Sequence, residues 1–330
     1  MKDSDQDNTL LHIFQENPGQ FLSGEEISRR LSISRAAVWK QINKLRNLGY
    51  EFEAIPRMGY RMTDVPDTLS MDTLTAGMMT REYFGKPLIL LDKTTSTQED
   101  ARQLAEEGAS EGTLVISEEQ TGGRGRMGKK FYSPRGKGIW MSLVLRPKQP
   151  LHLTQQLTLL TGVAVCRAIA KCTGVQTDIK WPNDILFRGK KVCGILLESA
   201  TEDERVRYCI AGIGISANLK ESDFPEDLRS VATSIRMAGG TAVNRTELIQ
   251  SIMAEMEGLY QLYNEQGFKP IASLWEALSG SVGREVHVQT ARERFSGMAT
   301  GLNRDGALLV RNQAGELIPV YSGDIFFDTR

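Results

Sequence analysis

The stretch Thr121-Gly-Gly-Arg-Gly-Arg-Met-Gly-Lys-Lys130 packs four glycines and four cations into ten positions. Glycine permits positive φ and close approach of backbone N–H groups to a ligand, and arginine adds a planar, permanently charged donor fork. The composition therefore suits a phosphate or a carboxylate. The spacing is not that of a P-loop, which needs GxxxxGK[ST]. Gly123-x-Gly125-x-x-Gly128 satisfies GxGxxG, but no helical pattern follows it, so it does not imply a dinucleotide turn. An RGG-like nucleic-acid segment or an ordinary flexible loop accounts for the same residues equally well.

Lys180-Trp-Pro-Asn-Asp184 sets a cation, an amide and a carboxylate within five residues, with Pro182 fixing the backbone. Such a set suits a nucleotide phosphate, a ribose or a magnesium ion, and equally a hairpin turn in which Asn183 and Asp184 bond the backbone. Lys190-Lys-Val-Cys-Gly-Ile-Leu-Leu-Glu198 puts two cations at the mouth of an apolar strand, to neutralise a carboxylate or to cap a strand edge. At Thr95-Ser-Thr-Gln98 the hydroxyls open a helix, where they either cap it or meet a ligand.

The four cysteines show no CxxC spacing and the three histidines are scattered, so neither a zinc site nor a disulfide framework is indicated, and the thiols read as free in a reducing cytoplasm. The polar start MKDSDQDNTL lacks the apolar core of a signal peptide, and no later run approaches the roughly 18 consecutive apolar residues of a membrane span. The expectation is a cytoplasmic protein with no membrane partner. With 330 residues, 40% of them hydrophobic, the chain is long enough for two or three domains. Its net charge of -1 gives no general attraction for nucleic acid, so any such attraction must be local.

A local excess does occur between Arg29 and Arg61, where eight cations face Glu51 and Glu53. Three helical patterns span Thr9 to Asn17, with Leu10, Leu11 and Phe14 inward, Gly24 to Leu31 behind the capping box Ser23-Gly-Glu-Glu26, and Ser34 to Leu48. On the third, Ala37, Val38, Ile42, Leu45 and Leu48 form an apolar stripe. Trp39, Lys40, Asn43 and Asn47 fall opposite, flanked by Arg35 and Arg46. Trp39 belongs to this face, although a tryptophan is more often packed against a wing than laid on DNA. The hairpin that follows, Tyr50 to Met62, turns at Pro56-Arg-Met-Gly59 and carries Arg57 and Arg61. Helices, basic face and basic hairpin together resemble a winged helix-turn-helix, with Arg35, Lys40, Asn43, Arg46 and Arg57 as the DNA-contacting set.

Thr63 to Ser70 reads as a linker. Beyond it, strand patterns (Leu88 to Leu91, Thr113 to Ser117, Ile139 to Leu145, Val192 to Leu197, Val206 to Ile215) mix with helical ones (Thr97 to Gly108, Leu153 to Thr173, Asn244 to Gln266). Several strands follow one another without an intervening helix, which predicts a mixed or antiparallel α/β sheet. After Ala277, five short runs near Arg284, Arg294, Ala307, Glu316 and Ile325 predict a small closed β barrel.

In this order, Gly123-Arg-Gly-Arg-x-Gly128, Lys180-Trp-Pro-Asn-Asp184, Lys191-x-x-Gly-Ile-Leu196 and Gly212-Ile-Gly-Ile-Ser-Ala-Asn218, behind a winged helix and ahead of a small barrel, resemble the bifunctional biotin-protein ligases that also repress biotin operons. The resemblance spans nearly the whole chain. It implies a winged helix-turn-helix in residues 1–65, a catalytic domain like that of class II aminoacyl-tRNA synthetases in 66–276, and an SH3-like barrel in 277–330. It further implies that biotin and ATP give biotinyl-5'-AMP, which a lysine of the biotin carboxyl carrier protein of acetyl-CoA carboxylase then attacks. The adenylate would act as corepressor by favouring a homodimer on operator DNA.

Carried over by motif, Ser96, Thr97 and Gln120 would bond the biotin ring system with Gln98 beside them. Gly123, Arg124, Gly125 and Arg126 would close over biotin and the phosphate. Lys191 would hold the carboxylate, and Gly194 and Ile195 would line the acyl-chain pocket. Arg126, Phe131, Lys180, Asn183, Asp184, Ser216 and Asn218 would serve ATP, with Asp184 the Mg2+ ligand. Lys191, Arg126 and Asp184 would be catalytic. Three positions depart from the commonest family pattern: Gln98 for Asn, Phe131 for Trp against adenine, and Ser216 for an Asn near the nucleotide. A lipoate ligase, which shares the fold, and a sensing repressor that has lost catalysis are the rival readings.

Overall fold

In the computed structural model, the residues described are 10–327 apart from 15, 48, 49, 65–67, 79, 81–83 and 204. Thr9 and Leu48, the acidic start and the centre of the expected linker lie outside them. The chain divides into two compact units, Met1–Thr68 with Arg135–Lys137, and Leu69–Pro134 with Gly138–Arg330.

In the first unit, residues 10–14 are helical, followed by helices Gly24–Leu31 and Arg35–Asn47 and the antiparallel hairpin β1 (Glu51–Ile55) and β2 (Gly59–Asp64). The Ser23 hydroxyl accepts from Glu26 N–H at 3.0 Å, so the expected cap forms, and Ser32 ends that helix in the left-handed region. Leu10, Phe14, Ile27, Val38, Ile42, Leu45 and Phe52 are buried together, the interdigitation that the apolar spacing predicts. Gly59 closes the wing against Leu22. The two backbones exchange hydrogen bonds through Tyr60, and a Cβ at Gly59 would fall 2.1 Å from the Leu22 carbonyl.

The second unit is built on a seven-stranded sheet in the order β3-β4-β5-β9-β8-β7-β6, where β3 is Leu88–Leu91, β4 Leu114–Ser117, β5 Ile139–Leu145, β6 Asp178–Lys180, β7 Asp184–Phe187, β8 Lys190–Glu202 and β9 Arg205–Ile215. Only β3 and β4 are parallel, and they are the pair joined by a helix, Thr97–Glu106. The other neighbours are antiparallel, as a largely hairpin-connected sheet requires. The sheet is mixed, as expected. Strands β6 and β7 and the helices Met71–Ala76, Ile235–Gly239 and Phe268–Ala277 were not among the expected elements; β6 and β7 are the two arms of the hairpin turn that Lys180 to Asp184 allowed.

Helix Gln155–Thr173 is buried almost throughout, packs on helix Arg245–Gln266, and stops at Gly174 in the left-handed region. The segment Leu151–Thr173 has the length and apolarity of a membrane span, but 72% of its apolar window is buried in this unit, which makes it a core helix. The C-terminal strands β10 (Glu285–Gln289), β11 (Arg294–Leu302), β12 (Leu308–Arg311), β13 (Leu317–Val320) and β14 (Asp324–Phe326) pair antiparallel in the order β13-β12-β11-β10-β14. All five expected strands form, and β13 and β14 end the ladder. Val286, Val310 and Ile325 join the same apolar cluster as Trp181 and Trp275 of the preceding region, so the small sheet does not have a core of its own.

A buried ion pair lies inside this apolar mass. Arg245, fully buried at the start of its helix, donates to both oxygens of Glu118, at 2.7 and 3.2 Å, and to the Gly138 carbonyl. Glu118 also accepts from Leu69 N–H at 2.8 Å, at the first residue of this unit. A cation at a helix N-terminus opposes the helix dipole, and burial adds a desolvation cost that only the paired carboxylate offsets. Arg245→Ala would leave Glu118 charged and buried. We expect it to lower the unfolding free energy by about 3–5 kcal/mol, measured by urea denaturation, and an unchanged midpoint would contradict this.

Candidate active site

A cavity of about 170 Å³ opens at one end of the seven-stranded sheet. Its polar end is made by Ser96, Thr97 and Gln98, where helix Thr97–Glu106 begins, and by Gln120 beyond β4. Ser96 takes the N-cap position yet makes no side-chain cap bond, so capping is not what its buried hydroxyl does; it lines the cavity. Gln120 Oε1 accepts from Thr97 N–H at 2.9 Å, while its amide donates to Ser133 at 3.0 Å, which fixes the orientation of the amide. The Thr97 and Ser142 hydroxyls lie 2.9 Å apart, and Ser142 donates to Gln98 Oε1 at 3.2 Å. Gln98 in turn donates to the Ile210 carbonyl at 3.2 Å. The result is a neutral network in which each amide is pinned by its neighbours.

The middle of the cavity is apolar and flat. Gly194 of β8 and Gly214 of β9 are register partners, and the Phe131 ring lies over them: a Cβ would fall 3.0 Å from that ring at Gly194 and 2.5 Å at Gly214. Phe131 meets Trp140 edge-on at 5.9 Å between centroids, and Met141 and Ile195 complete the surface. Glycine is needed at both strand positions for close approach rather than for an unusual φ.

The far end is cationic. Arg124, Arg126, Lys129, Lys130 and Lys191 all line the cavity. Three carboxylates hold four of these cations: Arg124 pairs with Glu99, Lys191 Nζ with Asp184 at 2.6 Å, and Asp324 with both Arg126 at 3.4 Å and Lys129 at 3.2 Å. Arg126 also donates to Asn183 Oδ1 at 3.1 Å. The glycine-rich segment is a small hairpin, with Phe131 N–H donating to Gly123 O and Gly125 N–H to Lys129 O. Of its four glycines only Gly128 has positive φ. Met127 also does, with its side chain 80% exposed, and Gly123 instead lets the Phe131 carbonyl approach its own backbone.

Four expected site residues do not line this cavity. Asn218 is committed elsewhere, its amide donating to the Val243 carbonyl and accepting from Val243 N–H, which clamps the chain after β9. Ser216 is nearly buried beside it, its backbone bonded to Val192 and Ile235. Lys180 stands over the Phe326 and Phe327 rings, 5.5 and 5.7 Å from their centroids. Burial lowers its pKa, against the pull of Asp184 and Asp324. Gly123 is held under Phe131. Conversely, Lys129, Lys130, Met141, Ser142, Leu196, Gly212, Ile213 and Asp324 belong to the lining and were not in the sequence-derived set. Lys129 and Lys130 belong to the glycine-rich stretch 121–130, whereas Asp324 sits in a different part of the chain and carries no motif.

Among the described residues no three His, Cys, Asp or Glu side chains gather as a metal site. Asp184 alone still fits a Mg2+ shared with a polyphosphate, since that ion keeps most of its shell from water and phosphate and takes one or two carboxylates. Cys166, Cys193 and Cys209 are buried free thiols, and burial pushes the thiol pKa to about 12 for Cys166 and Cys209 and well above the usual value for Cys193. None is a nucleophile.

In the first unit the basic face is partly neutralised from outside the window counted in the sequence, by Glu26 on Arg30 and Glu25 on Arg35. Arg46 donates to Asn43 and to the Phe52 carbonyl. Lys40 and Arg57 are exposed. Trp39 is 58% exposed rather than packed on the wing, because its helical position faces away from the stripe of Val38, Ile42 and Leu45.

Residues 90–216 match the model of the biotin/lipoate A/B protein ligase family, residues 7–61 an HTH domain, and residues 282–328 the biotin protein ligase C terminal domain. The chain is 46% identical over 316 residues to the bifunctional ligase/repressor BirA of Bacillus spizizenii, covering 96% of this chain and 97% of the relative. It is 45% identical over the same shares to the protein of that name from Bacillus subtilis. Among solved structures, the biotin protein ligase of Aquifex aeolicus in complex with biotin and ATP is 31% identical, with a TM-score of 0.64 over 73% of this chain and 98% of that one.

A Cβ at Gly212 would fall 2.3 Å from Gln98 Oε1. Gly212→Ala should therefore displace the Gln98 amide, break its bond with Ser142, and weaken a ligand held at the polar end about tenfold while sparing nucleotide binding. Calorimetric titration reads both affinities, and equal loss of the two would refute a local effect.

Proposed function

The chain belongs to the bifunctional biotin-protein ligase/repressor family, and from that premise we propose how its residues divide the work. It is an ATP-dependent biotin-protein ligase that forms biotinyl-5'-AMP and passes biotin to a lysine of the carboxylase biotin carrier, and through its HTH domain it is a DNA-binding repressor of biotin genes. The observation that carries the assignment of residues is the gradient along the cavity. A neutral hydrogen-bonding end, an apolar middle and a cationic end match, in order, a cyclic urea, an acyl chain and a carboxylate. The uncharged network of Ser96, Thr97, Gln98 and Gln120 favours biotin over lipoate, whose dithiolane ring has no use for such donors and acceptors.

The carboxylate is a poor electrophile, so it must first attack the α-phosphorus of ATP, and two anions then have to share one site. Lys191 would hold the biotin carboxylate, exchanging Asp184 for it. Arg124 and Arg126 would exchange Glu99 and Asp324 for phosphate oxygens and neutralise charge that grows as pyrophosphate leaves. Phe131 would turn one face to the adenine. Asp184, released from Lys191, together with Asn183 would hold Mg2+, which neutralises the phosphates when bound. We assign Lys180, Ser216 and Asn218 to supporting this site from behind rather than to touching ATP, because their side chains or backbones are already engaged. The DNA-contacting set remains Arg35, Lys40, Asn43, Arg46 and Arg57, and we add the exposed Trp39.

We divide the chain into 1–65, 66–276 and 277–330 for these roles. The adenylate would order the 123–131 hairpin and favour a homodimer that pairs two reading helices on a palindromic operator, in the cytoplasm where carrier and DNA both reside. Purified protein with ATP, Mg2+ and biotin should release pyrophosphate and label the carrier domain, and lipoate should not compete. Lys191→Ala or Arg124→Ala should slow adenylation by about 10²–10³-fold. Binding of biotin and DNA without pyrophosphate release would leave a sensing repressor instead. Deleting residues 1–63 should abolish operator binding in a gel-shift assay and leave some ligation, and specific DNA binding that survives the deletion would overturn the placement of the reading face.

A further inference from the structure

We propose that a second cavity beside the catalytic one is the passage through which the carrier's acceptor lysine reaches the adenylate, an inference that rests on the ligase reading above. This cavity, about 210 Å³, shares Arg126, Asn183 and Ile195 with the first, so the two are separated by single side chains. It is walled on one side by Thr154, Gln155 and Thr158 around the start of helix Gln155–Thr173, and on the other by Tyr321 and Ser322 ahead of β14.

Geometry and chemistry both suit a lysine. The 123–131 hairpin supplies much of the catalytic cavity's lining and would contact the adenylate there, so the amine must enter through a wall the hairpin does not supply. The wall formed by Asn183 and Ile195 backs onto the second cavity. Pro182, Ile195 and Leu197 offer an apolar bed for the methylene stem, while the threonine and serine hydroxyls stand at the rim. The lining contains a guanidinium and, among the described residues, no carboxylate, so no anion in it pairs with an ammonium ion, and a cation beside the amine favours the neutral, nucleophilic form.

Outside the opening, Tyr321 is 54% and Phe326 47% exposed, on either side of Asp324, which itself lines the catalytic cavity. Exposed aromatics next to a reaction channel are the surface a folded partner covers. The occupant is therefore the acceptor lysine of the carrier domain, with that domain resting on residues 321–326.

In the transfer step the lysine, having given its ammonium proton to water at the rim, attacks the carbonyl carbon of the mixed anhydride. The C–N bond forms as the carbonyl C–O bond to phosphate breaks. AMP leaves with that electron pair, and the second nitrogen proton passes to water to leave the amide.

Ser322→Trp and Gln155→Trp place an indole in the passage from two different elements, with Ser322→Ala as the conservative control. Pyrophosphate release with biotin and ATP alone should match the unmodified protein, which also reports a folded catalytic site. Carrier labelling from that adenylate should fall about tenfold or more in kcat/KM in both tryptophan variants and stay unchanged in Ser322→Ala. Labelling at the original rate in both would overturn the passage. A loss of pyrophosphate release as large as the loss of labelling would overturn it too, by giving the cavity to the nucleotide. Failure of the unmodified protein to form adenylate would instead overturn the ligase reading itself.

Discussion

Five cations around one small cavity repel one another, and the rest of the site is arranged around that repulsion. Glu99, Asp184 and Asp324 answer four of them, each from a different element: a helix, the β6–β7 hairpin and the last strand. On the proposed assignment, these carboxylates hold the cations that a ligand's anions would take over. Most of the pairs are half-exposed, so each is worth little in itself and gives way at small cost when a carboxylate or phosphate arrives. A site that must bind two anions at once, then release a neutral amide and AMP, is served by internal anions that can be displaced and can return.

The sheet makes this arrangement possible by stacking two glycines. Because Gly194 and Gly214 sit in register on β8 and β9, the sheet surface is bare in the middle of the cavity, and Phe131 settles there. The same register places Gly212 under Gln98, so one run of alternate glycines on β9 serves both the apolar and the polar stretch of the cavity. The buried Arg245–Glu118 pair does complementary work two residues before Gln120, tying the strand that leads into the glycine-rich hairpin to the helix behind it and to the first residue of the unit. It acts on position and orientation, for which a charge-assisted bidentate pair is better suited than apolar contact.

Much of the design is local enough to be read along the chain. Caps, strand alternation and the stripe of Val38, Ile42 and Leu45 depend on neighbours within a few residues, and most of the helices and strands they predict form within a residue or two of the expected ends, although β8 runs five residues beyond Leu197. The motif residues Arg124, Arg126, Asn183, Asp184, Lys191, Gly194 and Ile195 do meet in one cavity. The residues that stay outside the cavity share a cause. Lys180, Ser216 and Asn218 belong to the same motifs, but whether a side chain lines a cavity or is used by another partner depends on what packs behind it. Here those partners are Phe326, Phe327 and Val243, distant in sequence.

By itself, the sequence determined the elements, the order of the units and the chemical character of the loop, because periodicity, capping and charge act over a few bonds. Only the tertiary structure decided that Asp324 balances Arg126 across nearly two hundred residues, that Ser142 joins the polar network, and that Trp39 stays exposed while Lys180 stands over Phe326 and Phe327. Those outcomes are set by contacts between segments far apart in the chain, where no local spacing carries the information and only the packing of the whole sheet brings the partners within hydrogen-bonding reach.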